Sequence, residues 1–411
     1  MKSFETMLSD YARVVVKVGL NLQHGQTLFI KAPIEGVDFV RQVAKFAYEE
    51  KAKEVYVDWN DDFLTRMKYI NSPMEVFENF PKWKADAMES LAKEGAAFLS
   101  ISSSDPELLK GVDPEKISTG NKAAAMAMKT YMEYAMNDLI TWCVISIPTI
   151  NWASKVFPHN SPEEAYKKLW DSIFKTIRVD KDDPIEAWEN HIKNINNRME
   201  FLNKNKLRKF YYTSSNGTDL TIEFHEDHLW CGGGDYNKDN TFFVPNMPTE
   251  EVFTLPLKTG INGIVFNTKP LNYSGNVIDG FNLTFKDGRV VDFHARKGEE
   301  ILKKLLNTDD GAKYIGEVAL VPFSSPISKS NITFLNTLFD ENASCHLALG
   351  KAYPPCLKGG DKMSEKELEQ HGANDSLIHE DFMIGSRDLN IMGTTSDGKS
   401  MEIFKDGEWA F

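Results

Sequence analysis

Along the first third of the chain the apolar positions follow two alternating patterns. Short unbroken runs, "QTLFIKAP" at 26–33 and "KEVYVDWN" at 53–60, read as buried strands. Between them Val37, Val40, Val43, Ala44, Phe46 and Ala47 recur at helical spacing. Strand, helix and strand in that order predict a β-α-β unit, and so a parallel sheet with a right-handed crossover. "AAFLSISSSDP" (96–106) and "ITWCVISIPT" (140–149) predict further strands, with one helix between them over "NKAAAMAMKTYMEYAMNDL" (121–139). Two more helices follow, at 161–179 and 183–204. Each opens with Ser-Pro or Asp-Pro, a capping residue and then proline at the first helical position.

From Lys206 onward the pattern becomes strand-like. "LRKFYYTSS" and "TDLTIEFHEDHLW" alternate about an Asn-Gly turn, and the second is expected to remain extended through His228. Asp-Gly turns at 287–288, 397–398 and 406–407 predict further hairpins. A chain of 411 residues exceeds the usual single hydrophobic core. The expected architecture is an N-terminal α/β domain with a parallel sheet, residues 1–110 or extended to about 150. A larger α+β C-terminal domain, residues 111–411, follows and is rich in antiparallel strands.

Charge narrows the function classes. The net charge is -13, which argues against a nucleic-acid binder, with its need for a basic face, and against adsorption to an anionic membrane. No stretch reaches the roughly 20 apolar residues of a membrane span, and the N-terminus lacks the apolar run of a signal peptide. Cys143, Cys231, Cys345 and Cys356 form no C-x-x-C pair and suggest reduced thiols in a cytoplasmic protein. There is no P-loop, and no G-x-S-x-G for a nucleophilic serine. "CGGGDY" at 231–236 is not followed by the helix that a phosphate site requires.

The chemistry lies where acids and imidazoles interrupt apolar context. Glu250 and Glu251 precede Val-Phe, and Glu317 sits inside "IGEVALV". Asp340, Glu341 and His346 lie in "FDENASCHLALG", and His379, Glu380 and Asp381 in "LIHEDFMIG". One unpaired buried carboxylate costs several kcal/mol or is neutralised. Several such residues together point to divalent cations that hold them. Two histidines with several carboxylates form a mixed N/O set, suited to zinc, manganese, cobalt or iron. Six ligands exceed one tetrahedral zinc and fit two metals sharing a carboxylate. In extended chain His379 and Asp381 face one way and Glu380 the other, and only one of Glu250 and Glu251 can face a shared site. His225 and His228 imitate a zincin pair, but their spacing is i, i+3 and not the i, i+4 of a helix. Cys345 is read as packing. A glycosidase also uses paired carboxylates, and a structural cation site or another metal-dependent amide hydrolase fits the same residues.

"NMPTEEVFT", "YIGEVALVP", "ENASCHLALGKAYP" and "NDSLIHEDFMIG" together resemble the aminopeptidase T / aminopeptidase S family of bacterial metallopeptidases. "LWCGGG" and the N-terminal third are similar as well, so the likeness spans the chain. The resemblance implies a cytoplasmic, homodimeric exopeptidase acting on peptides with a free N-terminus. It implies two divalent cations per chain (zinc, cobalt, manganese or magnesium), bound by Glu251, Glu317, Glu341, His346, His379 and Asp381. It also implies catalytic roles for Tyr353, Glu317 and Glu341, the last as ligand or as acid/base.

Overall fold

The computed structural model describes residues 2–103, 105–273 and 276–411; Ser104, within the expected strand segment 96–106, lies outside them. The chain divides into two compact units. One comprises Met1–His191 with Gly234–Pro248, the other Ile192–Gly233 with Thr249–Phe411. The boundary expected at residue 110, or as late as 150, therefore falls inside the first unit.

In the first unit β1 (Thr27–Pro33), β2 (Glu54–Asn60), β3 (Ala97–Ile101) and β4 (Trp142–Ile145) form a parallel sheet in the order β2-β1-β3-β4. Leu28 of β1 aligns with Val55 of β2 and with Ala97 of β3. Helix α1 (Phe4–Val14) precedes the sheet, and α2 (Val37–Glu49) makes the β1-to-β2 crossover, burying Phe39, Val40, Val43 and Ala47. Each large side chain so buried contributes about 1.5–3 kcal/mol. Helices α3 (Asp62–Asn71) and α4 (Lys82–Lys93) lie between β2 and β3. The single helix expected over 121–139 is instead two, α5 (Pro114–Ala127) and α6 (Lys129–Met136). Met128 between them leaves the helical region at φ -91°, ψ 7°. Neither glycine nor proline marks that break, so high propensity concealed it. Helices α7 (Ile150–Val156), α8 (Pro162–Thr176) and α9 (Pro184–Asn205) follow, and a capping box at Ser161 and Glu164 starts α8.

The second unit begins within α9 and continues into β5 (Leu207–Thr213) and β6 (Asp219–Glu223). The first unit then gains a ribbon of β7 (Asp235–Tyr236) and β8 (Phe242–Phe243). The remaining strands are β9 (Val252–Thr254), β10 (Ile261–Phe266), β11 (Leu271–Tyr273), β12 (Asn276–Lys286), β13 (Arg289–Lys297), β14 (Ile315–Leu320), β15 (His346–Gly350), β16 (His379–Met383), β17 (Asn390–Thr395), β18 (Ser400–Lys405) and β19 (Glu408–Trp409). Nine of the second unit's strands form an antiparallel sheet in the order β11-β12-β10-β6-β5-β17-β18-β19, with β13 paired to β12. At the β12–β13 turn Asp287 and Gly288 both have positive φ, 49° and 79°, the geometry that matches strand twist in a two-residue hairpin.

A separate antiparallel sheet of four strands runs β16-β15-β14-β9. One of its faces packs Val318, Leu320, Leu347, Leu349 and Phe382 into the unit's main apolar core. Short helices α10 (Glu299–Leu306), α11 (Pro326–Ser330), α12 (Thr337–Asp340) and α13 (Glu365–Gln370) join these strands. The expected extension of β6 through His228 is not observed: β6 ends at Glu223 and residues 226–227 form a turn. His225 closes it locally, its Nδ1 accepting from Asp227 N at 3.1 Å and its carbonyl from His228 N at 3.2 Å. Side-chain to backbone bonds of this kind compete with the sheet. No helix among the described residues is long and apolar enough to cross a membrane.

Candidate metal centre

The second face of the four-stranded sheet is charged. In β15 the alternation that sends Leu347 and Leu349 into the core turns His346, Ala348 and Gly350 to the opposite side. The register sets Ala348 against Glu317 of β14 on one side and against Asp381 of β16 on the other. His379 stands opposite Gly350, His346 opposite Ala319, and Glu251 immediately precedes β9. Residues from four distant segments thus meet over a floor of one methyl group and one glycine. Gly350 has φ +109°, and a Cβ there would sit 2.0 Å from the Ile378 carbonyl, so no larger residue fits.

His346 Nε2 lies 3.2 Å from Glu251 Oε2, 3.6 Å from Glu317 Oε1 and 3.9 Å from Asp381 Oδ1. His379 Nε2 lies 3.4 Å from Glu317 Oε2 and 3.6 Å from Asp381 Oδ1. Glu317 therefore directs one oxygen toward each imidazole. Two sets of three donors, Glu251, Glu317 and His346, and Glu317, His379 and Asp381, converge closely enough to hold an ion each. Most of these separations exceed the 2.7–3.2 Å of hydrogen bonds. The 3.4 and 3.6 Å separations match the roughly 3.3–3.6 Å expected between ligand atoms about 2.0–2.2 Å from one tetrahedral cation.

The imidazoles are oriented from behind. His346 Nδ1 lies 3.1 Å from the Ser344 carbonyl, and His379 Nδ1 lies 2.7 Å from the Lys351 carbonyl. Donation of Nδ1–H to a carbonyl leaves the Nε2 lone pair facing the acids, the arrangement typical of metal-binding histidines. Glu251 Oε2 and Asp381 Oδ1 are buried and accept no hydrogen bond. Such oxygens are costly without a partner, and a cation between the donors supplies one. The donor set and these two oxygens fit divalent metal.

Within the cluster the acids and imidazoles act strongly on one another. Burial opposes a charge on His379, yet Asp381 and Glu317 raise its pKa to about 11. Burial likewise opposes charge on His346, and Glu251 and Glu317 outweigh it, raising its pKa well above the usual imidazole range. For Glu317 burial favours the neutral form, but His346 and His379 draw its pKa down to about 2. Glu341 is raised well above the carboxylate range, first by burial and then by Glu251 and Asp381. It stands beside both triads and belongs to neither. Tyr353 is also pushed upward, by burial and then by Glu317 and Asp381, and its ring centroid lies 4.6 Å from that of His379.

The family described as "Thermophilic metalloprotease (M29)" matches residues 4–409. The chain belongs to the M29 family. Among its M29 relatives, "Aminopeptidase 2" of Geobacillus stearothermophilus is 54% identical, over all of this chain and 99% of the relative. "Aminopeptidase AmpS" of Bacillus subtilis (strain 168) is 51% identical over the whole of both chains. The solved structure of wild-type AmpT from Thermus thermophilus superposes with a TM-score of 0.94 at 38% identity, covering both chains fully.

Of the residues expected from sequence, this M29 chain brings Glu251, Glu317, His346, His379 and Asp381 together and sets Glu341 and Tyr353 beside them. Glu250 is buried elsewhere, and its backbone N–H donates to Asn342 Oδ1 at 2.7 Å. Cys345 packs against Val321, its Sγ 3.4 Å from both the amide and the carbonyl of that residue. His228 stacks on Phe224 at 5.0 Å and joins no donor group among the described residues. Sequence reasoning did not single out Ala348 or Gly350, or the carbonyls of Ser344 and Lys351. The alternation of "HLALG" could have flagged the first two; backbone acceptors leave no trace in sequence.

Proposed function

We propose that this chain is a metal-dependent aminopeptidase whose second unit would hold two divalent cations, with Glu251, Glu317, His346, His379 and Asp381 as the donors and Glu317 common to both donor sets. The single observation that carries the reading is that Glu317 presents its two oxygens to two different imidazoles, 3.6 and 3.4 Å away. Glu251 and His346 complete one half, and His379 and Asp381 the other. The substrate is a peptide with a free N-terminus. The relatives named aminopeptidases support the bond cleaved, and the orphaned oxygens of Glu251 and Asp381 support the metal.

Bound divalent cations would acidify water and polarise the scissile carbonyl. Glu317, committed at both oxygens, is a poor proton carrier. Glu341 stands outside both triads and is the group we assign to proton transfer. Where cation charge offsets the burial and the neighbouring acids that raise its pKa, its carboxylate would take the proton of the attacking water and deliver it to the leaving amine as the carbon–nitrogen bond breaks. The Tyr353 phenol, held protonated, donates to the oxyanion that develops on the carbonyl. We further read a cytoplasmic homodimer, a state that sedimentation velocity would test.

The deciding experiment removes and restores metal. Chelation should abolish hydrolysis of leucine anilide, and single added divalent ions should restore it at two ions per chain. Full activity in protein shown to be metal-free sinks the proposal.

A further inference from the structure

The carboxylate assigned to proton transfer stands on a short turn. Helix α12 ends at Asp340, and Glu341–Ala343 forms one further 3-10 turn before Ser344 becomes extended toward β15. Asn342, inside that turn, is 1% exposed. A buried amide side chain is costly unless its donors and acceptor are engaged, and here they are. Asn342 Oδ1 accepts from Glu250 N at 2.7 Å. Its Nδ2 donates to the Leu338 carbonyl at 3.1 Å and, more weakly, to Glu341 Oε1 at 3.5 Å. The Asn342 carbonyl in turn accepts from Ser325 Oγ at 3.3 Å.

One side chain thus reaches two segments of the centre. Glu250, whose amide it holds, directly precedes the donor Glu251 and lies 92 positions away in the chain. Glu341 is its neighbour in the turn that its bond to Leu338 closes. Among the described residues, no other hydrogen bond and no ion pair engages the Glu341 carboxylate. A proton carrier must lie within about 2.6–3.2 Å of the proton it moves, and a misplacement of about 1 Å can cost about 10²-fold in rate. Glu341 therefore depends for its placement on the rigidity of this turn. A buried polar network with every member satisfied supplies that rigidity.

We propose that Asn342 is a positioning residue: it fixes the Glu341 carboxylate for proton transfer and ties the turn that carries it to the segment bearing Glu251. The inference rests on the aminopeptidase reading and deepens it by a residue outside both donor sets.

The test is a double-mutant cycle on the metal-loaded protein with leucine anilide. Asn342→Asp keeps the acceptor for the Glu250 amide and removes both donations, whereas Asn342→Leu removes all three bonds of the side chain. In Asn342→Asp kcat should fall about 10–100-fold, the cost of a displaced reacting group, with KM within about threefold and metal content unchanged. Asn342→Leu should lose at least as much kcat and also bind metal less tightly, because the Glu251 segment loses its anchor. In a Glu341→Gln background, Asn342→Asp should change kcat less than about threefold, since a residue that acts through Glu341 shows its coupling as non-additive losses. The same fold-loss in both backgrounds would mark a merely structural amide and overturns the assignment. Unchanged kcat in both single variants overturns it as well. If Glu341→Gln alone keeps full kcat, the proton-transfer role of Glu341 fails and this inference falls with it, while the metal reading stands. If the metal-loaded native chain cleaves no anilide, the aminopeptidase reading itself fails.

Discussion

Strands β3 and β14 occupy equivalent places, each an inner strand of a four-stranded sheet. Both are buried, β14 at all six positions and β3 at every position but Ser100. In β3 the buried side chains are Ala97, Phe98, Leu99 and Ile101, and burial is its whole role. In β14 the same burial includes Glu317, which is 4% exposed. A carboxylate in that setting is stabilised only by what faces it. The first strand stabilises a domain, and the second gives up stability to hold charge in place. The difference lies in one side chain per strand and in what its neighbours present to it.

The comparison can be broken at either strand. The largest effect is expected for Glu317→Gln, which keeps shape and removes charge. Aminopeptidase activity should fall by more than the roughly 10²–10³-fold that loss of one oxyanion donor costs, together with the bound metal count. Undiminished metal binding in that variant would show that Glu317 is not needed to hold metal. Next comes Tyr353→Phe, for which kcat should drop about 10²–10³-fold with metal content unchanged. Equal kcat in the two proteins would remove the phenol from the mechanism. In β3, Leu99→Ala should cost roughly 2–5 kcal/mol in denaturant unfolding. The molecules that remain folded should keep full kcat, and a parallel loss of kcat would contradict the division of roles.

The smallest effect concerns the buried histidines. His346 and His379 are raised by the acids around them, whereas His228 has no such neighbours. Burial lowers the His228 pKa to about 4, below the usual 6.5. Its folded pKa lies under the unfolded one, so its contribution is complete above pH 6.5 and is lost as pH falls toward 4. The native chain should lose on the order of 2–3 kcal/mol over that interval that a His228→Gln variant does not lose. Equal pH dependence of unfolding in the two proteins would place His228 in a more solvated setting.

The parts of this molecule readable in advance were those with local causes. The β1-α2-β2 unit follows from the two spacings of its apolar residues, and the hairpins follow from Asp-Gly pairs. Glu317 declared itself as a charge inside an apolar run, and His379 and Asp381 as a pair two residues apart on one strand. Parity said that only one of Glu250 and Glu251 could face the cluster, but could not say which. That choice depends on Asn342, 92 residues away, which takes the Glu250 amide. The turn at His225 was hidden because it depends on local hydrogen bonding in a segment whose pattern suited continuation, and the break at Met128 has no glycine or proline to mark it.

Ala348 and Gly350 carry a practical consequence. A larger side chain at Ala348 would compete with the ligands for the volume above it, and one at Gly350 would meet the Ile378 backbone. Engineering for heat resistance usually succeeds by filling voids and can cost activity where the void serves a purpose. For this protein such changes belong on the Leu347 and Leu349 side of the same strand, or in the parallel-sheet unit.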